Sequence, residues 1–150
     1  MRPEQSEPAE SAAPRFTREV DVRFHDLDAM GHAHHTLPLI YLEEARAAYW
    51  REVAGRDNLD GIDYVMAEVT VRFHGRIEYP SRLRVGVRVS RIGTKSFEME
   101  FEIGSVDGER KASGRTVQVM YDYATGESKE VPADVRSRIE AFEGESLSRT

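Results

Sequence analysis

From Val65 to Tyr123 the chain alternates apolar and polar residues almost without a break, and a period of two commits that stretch to β-sheet. Val65, Ala67, Val69, Val71 and Phe73 alternate with Met66, Glu68, Thr70 and Arg72 until Pro80 ends the run. Leu83, Val85, Val87 and Val89 alternate with Arg84, Gly86 and Arg88, and Phe97, Met99, Phe101 and Ile103 alternate with glutamates. A further strand carries Val117, Val119, Tyr121 and Tyr123 on one face. Gly93-Thr94 and Asp107-Gly108 supply tight turns between neighbours. The pattern predicts four consecutive antiparallel strands, each with one covered and one wetter face. Upstream, Val20, Val22 and Phe24 face away from Asp21 and Arg23, which predicts a fifth strand over Phe16 to Phe24.

Between the fifth strand and the other four lies one helical segment, about Leu37 to Ala54. Thr36 is placed to cap its first turn and Pro38 tolerates a position whose N–H would be unsatisfied; Gly55 is the stop. Leu39, Ile40, Leu42, Ala45, Ala47, Ala48, Tyr49, Trp50 and Val53 cover most of its circumference, the pattern of a helix buried on all sides. Pro132 to Phe142 predicts a short second helix. The expected fold is α+β, a five-stranded antiparallel sheet wrapped around one long central helix. Long strands leave edges that a second copy would cover, which predicts a homodimer.

Composition narrows the function classes. The net charge of −6 argues against nucleic acid as a partner, because phosphate neutralisation needs a clustered basic surface. No cysteine is present, so thiolate nucleophiles, thiolate metal sites and disulfides are out, and a reducing cytoplasm is compatible. No apolar run is long enough to span a membrane. Residues 1–15, rich in Pro, Glu, Ser and Ala, read as a disordered leader and 144–150 as a flexible tail, which leaves 16–143 as the folded domain.

The chemistry concentrates in Asp26-Leu27-Asp28-Ala29-Met30-Gly31-His32-Ala33-His34-His35. A carboxylate at the mouth of a helix start can act as base toward water or attack an acyl carbon directly, and Asp28 is the candidate. The free amides of the following helix, around His34 to Leu37, can hold a developing oxyanion. The plainer alternative is that Asp26 and Asp28 cap the loop by accepting its own amides. His25, His32, His34 and His35 with either aspartate could also form a divalent metal site, without the i, i+4 spacing of a helical pair. Glu43 and Glu44 follow on the helix, with Arg46 in reach of Glu43. Arg82, Arg84, Arg88, Arg91 and Lys95 make a basic set that is either a solvated face or a phosphate-binding one.

Val22-Arg23-Phe24-His25-Asp26-Leu27-Asp28-Ala29-Met30-Gly31-His32, followed by Tyr41-Leu42-Glu43-Glu44-Ala45-Arg46, resembles the hotdog-fold acyl-CoA thioesterases of the 4-hydroxybenzoyl-CoA thioesterase type. The resemblance runs over about Thr17 to Tyr123. It implies two protomers sharing one continuous sheet, active sites at their interface, and neither a metal nor a cofactor. It also implies that Asp28 is the catalytic carboxylate and that the carbonyl-polarising amide falls at about His35. Many relatives carry Val-Asn-Asn where this chain has Ala33-His34-His35, a change that keeps the backbone role and alters the side chains. On this reading the protein hydrolyses an acyl-CoA or acyl-carrier-protein thioester. His34, Glu44, Arg88, Arg91 and Lys95 are then candidate substrate contacts. The alternatives are a non-catalytic acyl-CoA-binding module and a metal-dependent hydrolase built on the histidine loop. Dimer against tetramer stays open.

Overall fold

The structure, a computed structural model, describes residues 13–31, 33–56 and 62–147. Among the described residues six strands form: β1 (Phe16–Asp21), β2 (Tyr64–Phe73), β3 (Arg82–Ile92), β4 (Ser96–Ser105), β5 (Arg110–Asp122) and the two-residue β6 (Glu127–Ser128). Two helices accompany them, α1 (Leu37–Glu52) and α2 (Ala133–Glu143), with a 3-10 turn at Phe24–Asp26. All ladders are antiparallel, in the order β1-β3-β4-β5-β2, with β6 on β5. The sheet therefore has six strands where five were expected. The four strands after α1 are not consecutive neighbours either: β2 crosses to the far edge and pairs with β5.

Register explains which side chains go inside. Leu83, Val85, Val87 and Val89 on β3 lie beside Ile103, Phe101 and Met99 on β4 and are fully buried, as the alternation predicts. Irregularities between Val89 and Arg91 and between Met66 and Glu68 add one residue, so Ile92 stays on the inner face and β2 switches parity. Tyr64, Met66, Val69, Val71 and Phe73 thereby share one face, which an unbroken period of two could not give. β1 ends at Asp21; Phe24 belongs to the turn and is 73% exposed, not an inward strand residue.

The expectation of one long helix buried on all sides fails. α1 is shorter than Leu37 to Ala54 and lies on one face of the sheet, over β1, β3 and β4. It buries Tyr41, Leu42, Ala45, Ala48, Tyr49 and Trp50 and leaves Leu39, Ile40, Glu43 and Glu44 exposed. The Trp50 indole stacks on Phe97 with centroids 5.2 Å apart and meets Tyr64 edge-on at 5.0 Å. No helix of the described residues is long and apolar enough to cross a membrane.

α2 and the segment after it complete the edge of β3. β1 covers β3 only as far as Val87, so the amides beyond need other partners. Glu143 Oε2 accepts the Val89 N–H at 3.0 Å and the Tyr49 hydroxyl at 2.7 Å. Burial first, and then the Glu143 charge, push the Tyr49 hydroxyl far above the usual phenol range, so it stays a donor. Gly144 ends α2 in the left-handed conformation, φ 79°, and Leu147 then packs fully buried while its carbonyl accepts the Ile92 N–H at 3.0 Å. Gly144 to Leu147, the first part of the expected tail, lies along the edge of β3, and residues 148–150 lie outside the described residues. At the other end, Arg15, the last residue of the expected leader, donates to the Phe142 carbonyl, and residues 1–12 lie outside the described residues.

Glu143→Ala should leave the Tyr49 hydroxyl and the Val89 N–H orphaned together, lowering stability by about 2–4 kcal/mol in urea unfolding. Tyr49→Phe alone should cost less, and the double variant should be less than additive.

Candidate active site

The loop between β1 and α1 is closed at both ends by backbone bonds. An isolated antiparallel bridge joins Leu27 to Ala33, the His34 N–H donates to the Asp26 carbonyl at 3.2 Å, and the Ala33 N–H donates to the Ile77 carbonyl at 2.8 Å. Inside this collar the Gly31 N–H donates to the Asp28 carbonyl at 3.0 Å, and Gly31 takes φ 84°, where a side chain would be strained.

Asp26 anchors the collar. It is buried; its Oδ2 accepts the Tyr41 hydroxyl at 2.8 Å and the Arg23 N–H at 2.9 Å. Burial and the bond to Asp26 raise the Tyr41 hydroxyl well above the ordinary phenol range, which keeps its proton in that bond. The capping reading of Asp26 is therefore the observed one.

Asp28 is only half-buried. Its Oδ1 accepts the Met30 N–H at 2.9 Å, which fixes the carboxyl plane, and its Oδ2 has no partner among the described residues. His34 and His35 follow at the foot of α1, their rings 4.1 Å apart. Thr36 precedes α1, as expected, but its hydroxyl does not cap the helix; it meets His34 Nδ1 at 3.0 Å. Among the described residues the His35 backbone N–H has no hydrogen-bond partner, whereas the Leu37 N–H donates to the His34 carbonyl at 2.9 Å and the Leu39 N–H to the Thr36 carbonyl at 3.1 Å. The same pinned loop thus carries a carboxylate with one oxygen, and a backbone amide, that lack partners among the described residues. A base or nucleophile and an oxyanion donor are what acyl transfer requires.

The other expected contacts fall elsewhere. Glu44 is exposed on the side of α1 away from the sheet. Arg88 pairs with Glu100 at 3.0 Å and with Glu145 at 3.9 Å, and Arg91 pairs with Glu98 at 2.9 Å. Arg82 and Arg84 pair with Glu19 and Asp21 on β1, so most of the basic stripe is matched by acids across the ladder. Lys95 is exposed in the β3–β4 turn and has no ion-pair partner among the described residues. Within one protomer Arg91 and Lys95 are remote from the loop. Arg91 lies nine residues along β3 from Arg82, which pairs with Asp21 at the loop's root, and nine residues of strand span about 30 Å. His32 lies outside the described residues, and among the described ones no three His, Asp or Glu side chains are grouped to hold a metal ion.

Two features at the loop were not legible beforehand. Arg76 is exposed, has no ion-pair partner among the described residues, and neighbours the Ile77 carbonyl that holds Ala33. Phe24 and Tyr79 meet edge-on at 5.9 Å beside it. Both arise from the β2–β3 connection folding back on the loop, and no spacing in the sequence marks that contact.

Residues 22–139 match the family model described as the thioesterase-like superfamily. The chain belongs to that superfamily. A thioesterase of Thermus thermophilus, solved with coenzyme A and Zn, is 32% identical; the match covers 91% of this chain and 100% of that one, with a TM-score of 0.79. A thioesterase superfamily protein of Jannaschia sp. CCS1 is 25% identical, with 94% of this chain and 90% of that one covered and a TM-score of 0.81. The uncharacterized protein YsmA of Bacillus subtilis (strain 168) is 26% identical over 113 residues, 75% of this chain and 77% of that one. The matched span of the thioesterase-like model begins at Val22 and so takes in the whole collar.

Tyr41→Phe should cost about 1 kcal/mol of stability, since Asp26 keeps its bond to the Arg23 N–H. Asp26→Ala should cost more, about 2–4 kcal/mol, because it orphans the buried Tyr41 hydroxyl and that N–H together. Urea denaturation of the two variants side by side checks the order.

Proposed function

We propose that the protein hydrolyses the thioester of an acyl-CoA, or of an acyl-carrier protein, to a free acid and a thiol. The observation that carries this is the half-buried Asp28 on the same pinned loop as the His35 N–H, its Oδ2 and that N–H both without a partner among the described residues. In this mechanism Asp28 takes a proton from water and the resulting hydroxide adds to the thioester carbonyl. The His35 N–H holds the oxyanion. The tetrahedral intermediate collapses, the C–S bond breaks, and the thiolate leaves with the proton from Asp28. The other route open to the same carboxylate is direct attack, which expels the thiolate and forms a mixed anhydride that water then hydrolyses. Trapping by hydroxylamine in a single turnover separates them, since only the second route forms an anhydride that gives a hydroxamate on Asp28 or on the acyl group after the thiol has left.

Coenzyme A as carrier is supported by the Thermus thermophilus thioesterase solved with it, and the 4-hydroxybenzoyl-CoA type by the Asp28 motif itself. The working unit in this proposal is a homodimer formed through β2, a ten-residue edge strand exposed from Ala67 to Thr70. Antiparallel pairing of two such edges lays the Lys95 end of one protomer toward the Asp28 loop of the other. Arg76 and Lys95, two basic groups without ion-pair partners among the described residues, would then meet the carrier's phosphates, with Arg88 and Arg91 behind them in their ion pairs.

Thiol release from a panel of short, long and aromatic acyl-CoAs tests the reading. Asp28→Asn should lower turnover at least about a hundredfold while leaving the melting temperature near that of the wild type. Full turnover in that variant refutes the assignment. Sedimentation should show two copies at micromolar concentration, and a monomer that retains full activity would remove the dimer from the mechanism.

A further inference from the structure

The inner face of β5 is inverted. On β3 and β4 the inward residues are aliphatic or aromatic, but on β5 they are Ala112, Gly114, Thr116, Gln118 and Met120, while Val117 and Val119 point to the half-exposed outer face. Thr116 is 1% exposed and Gln118 0%, and Val117 and Val119 would have been the ordinary choice for the covered side. Gln118 Nε2 donates to Thr116 Oγ1 at 2.6 Å and lies 3.9 Å from the Met66 sulfur, a weak acceptor. Gln118 Oε1 has no hydrogen-bond partner among the described residues. The bond between the two uses an acceptor site of the Thr116 hydroxyl and leaves its proton free to donate. Side by side, in an otherwise apolar layer, stand one free acceptor and one free donor. If the amide is turned over, Thr116 donates and the orphan becomes an N–H, and the pair still asks for a polar partner.

The surroundings say where such a partner would come from. By register Val69 lies opposite Thr116, Val71 opposite Gly114 and Phe73 opposite Ala112, an apolar strip leading from the polar pair to the end of β2. Val69 is 38% exposed and Phe73 52%, so this face is open along the outer part of β2, while Ala112, Thr116 and Gln118 beside it on β5 are buried. Gly114 is required by close packing, since a Cβ there would collide with the Thr70 carbonyl oxygen of β2 and fall 2.9 Å from the Phe101 ring. At its Phe73 end the strip meets the segment whose Ile77 carbonyl holds the Asp28 loop. Thr116 and Gln118 are four and six residues along β5 from Ala112, about 13 and 20 Å of strand.

We propose that Thr116 and Gln118 form the far end of the acyl-binding trough and bind a hydroxyl at or near the distal end of a medium- or long-chain acyl group. A hydroxyl donates to Gln118 Oε1 and accepts from the Thr116 O–H at once, and the apolar strip matches the chain between it and the thioester. The inference rests on the thioesterase reading of the same loop and deepens it by naming the substrate class.

The test compares ω-hydroxydodecanoyl-CoA with dodecanoyl-CoA, in the wild type and in Gln118→Met and Thr116→Val, which preserve volume and remove the polar pair. The wild type should favour the hydroxylated substrate by about tenfold or more in kcat/KM, because an unmatched buried polar group penalises the plain chain. Both variants should lose that preference, with kcat/KM for the ω-hydroxy substrate falling to or below that for dodecanoyl-CoA. A wild type indifferent to the hydroxyl, or variants that lose both substrates equally, would overturn the proposal. Calorimetric binding of the two free acids separates this failure from that of the thioesterase reading. Discrimination in binding with no thiol release keeps the hydroxyl site and discards hydrolysis, while thiol release with no discrimination does the reverse.

Discussion

The buried bond from Tyr41 to Asp26 is the joint on which the active-site loop and α1 both depend. It ties the first turn-and-a-half of the helix to the residue that closes the loop, so the helix cannot shift along the sheet without carrying Asp28 with it. Asp26 is buried with Oδ2 bonded twice, whereas Asp28, two residues later, is half-buried with only Oδ1 bonded among the described residues. The two aspartates of one short motif differ in both burial and hydrogen bonding, and the proposed division into a positioning and a reacting carboxylate rests on that difference.

Electrostatics divide the sheet in the same way. Glu98, Glu100 and Glu102 on β4 face outward beside Arg88, Arg91 and Arg115, so the outer surface is a lattice of cross-strand ion pairs, each contributing little on its own. Their neutrality has a functional consequence. Charge that is matched across a ladder does not draw a phosphate, whereas Arg76 and Lys95, without ion-pair partners among the described residues, stand at opposite ends of the protomer.

What could be read from the sequence follows from which signals are local. The inner faces of β3 and β4, the Asp107-Gly108 turn and the stop after α1 were all legible, because each rests on a period or a single turn residue. The Asp28 loop was legible as a concentration of reactive groups. The parity switch at Met66–Glu68 was not, since a bulge leaves no mark in an alternating run, and it takes Val65 and Ala67 off the face that Val69, Val71 and Phe73 share as expected. β5 misled for another reason: Val117, Val119 and Tyr121 look like a core face, and only the register with Met99 and Phe97 shows that Thr116 and Gln118 are inside. The helix misled because apolar residues around its whole circumference suggest burial by its own sheet, whereas Leu39 and Ile40 face away from it.

That exposed side of α1 and the open inner face of β2 raise one physical question. Leu39, Ile40, Val69 and Phe73 are each more than a third exposed, the first two on α1 and the last two on the edge strand β2. A folded chain in water does not keep apolar groups together on a long unpaired edge without a use for them. In the proposed dimer, pairing through β2 would satisfy the edge amides and shed water from Val69 and Phe73 in the same step, and would roof the strip beside the buried Thr116–Gln118 pair. A site closed in this way would be dry, and there the His35 amide and the Gln118 oxygen, neither with a partner among the described residues, would act more strongly than in water. On that proposal the interface and the chemistry are one constraint, met by the same few residues.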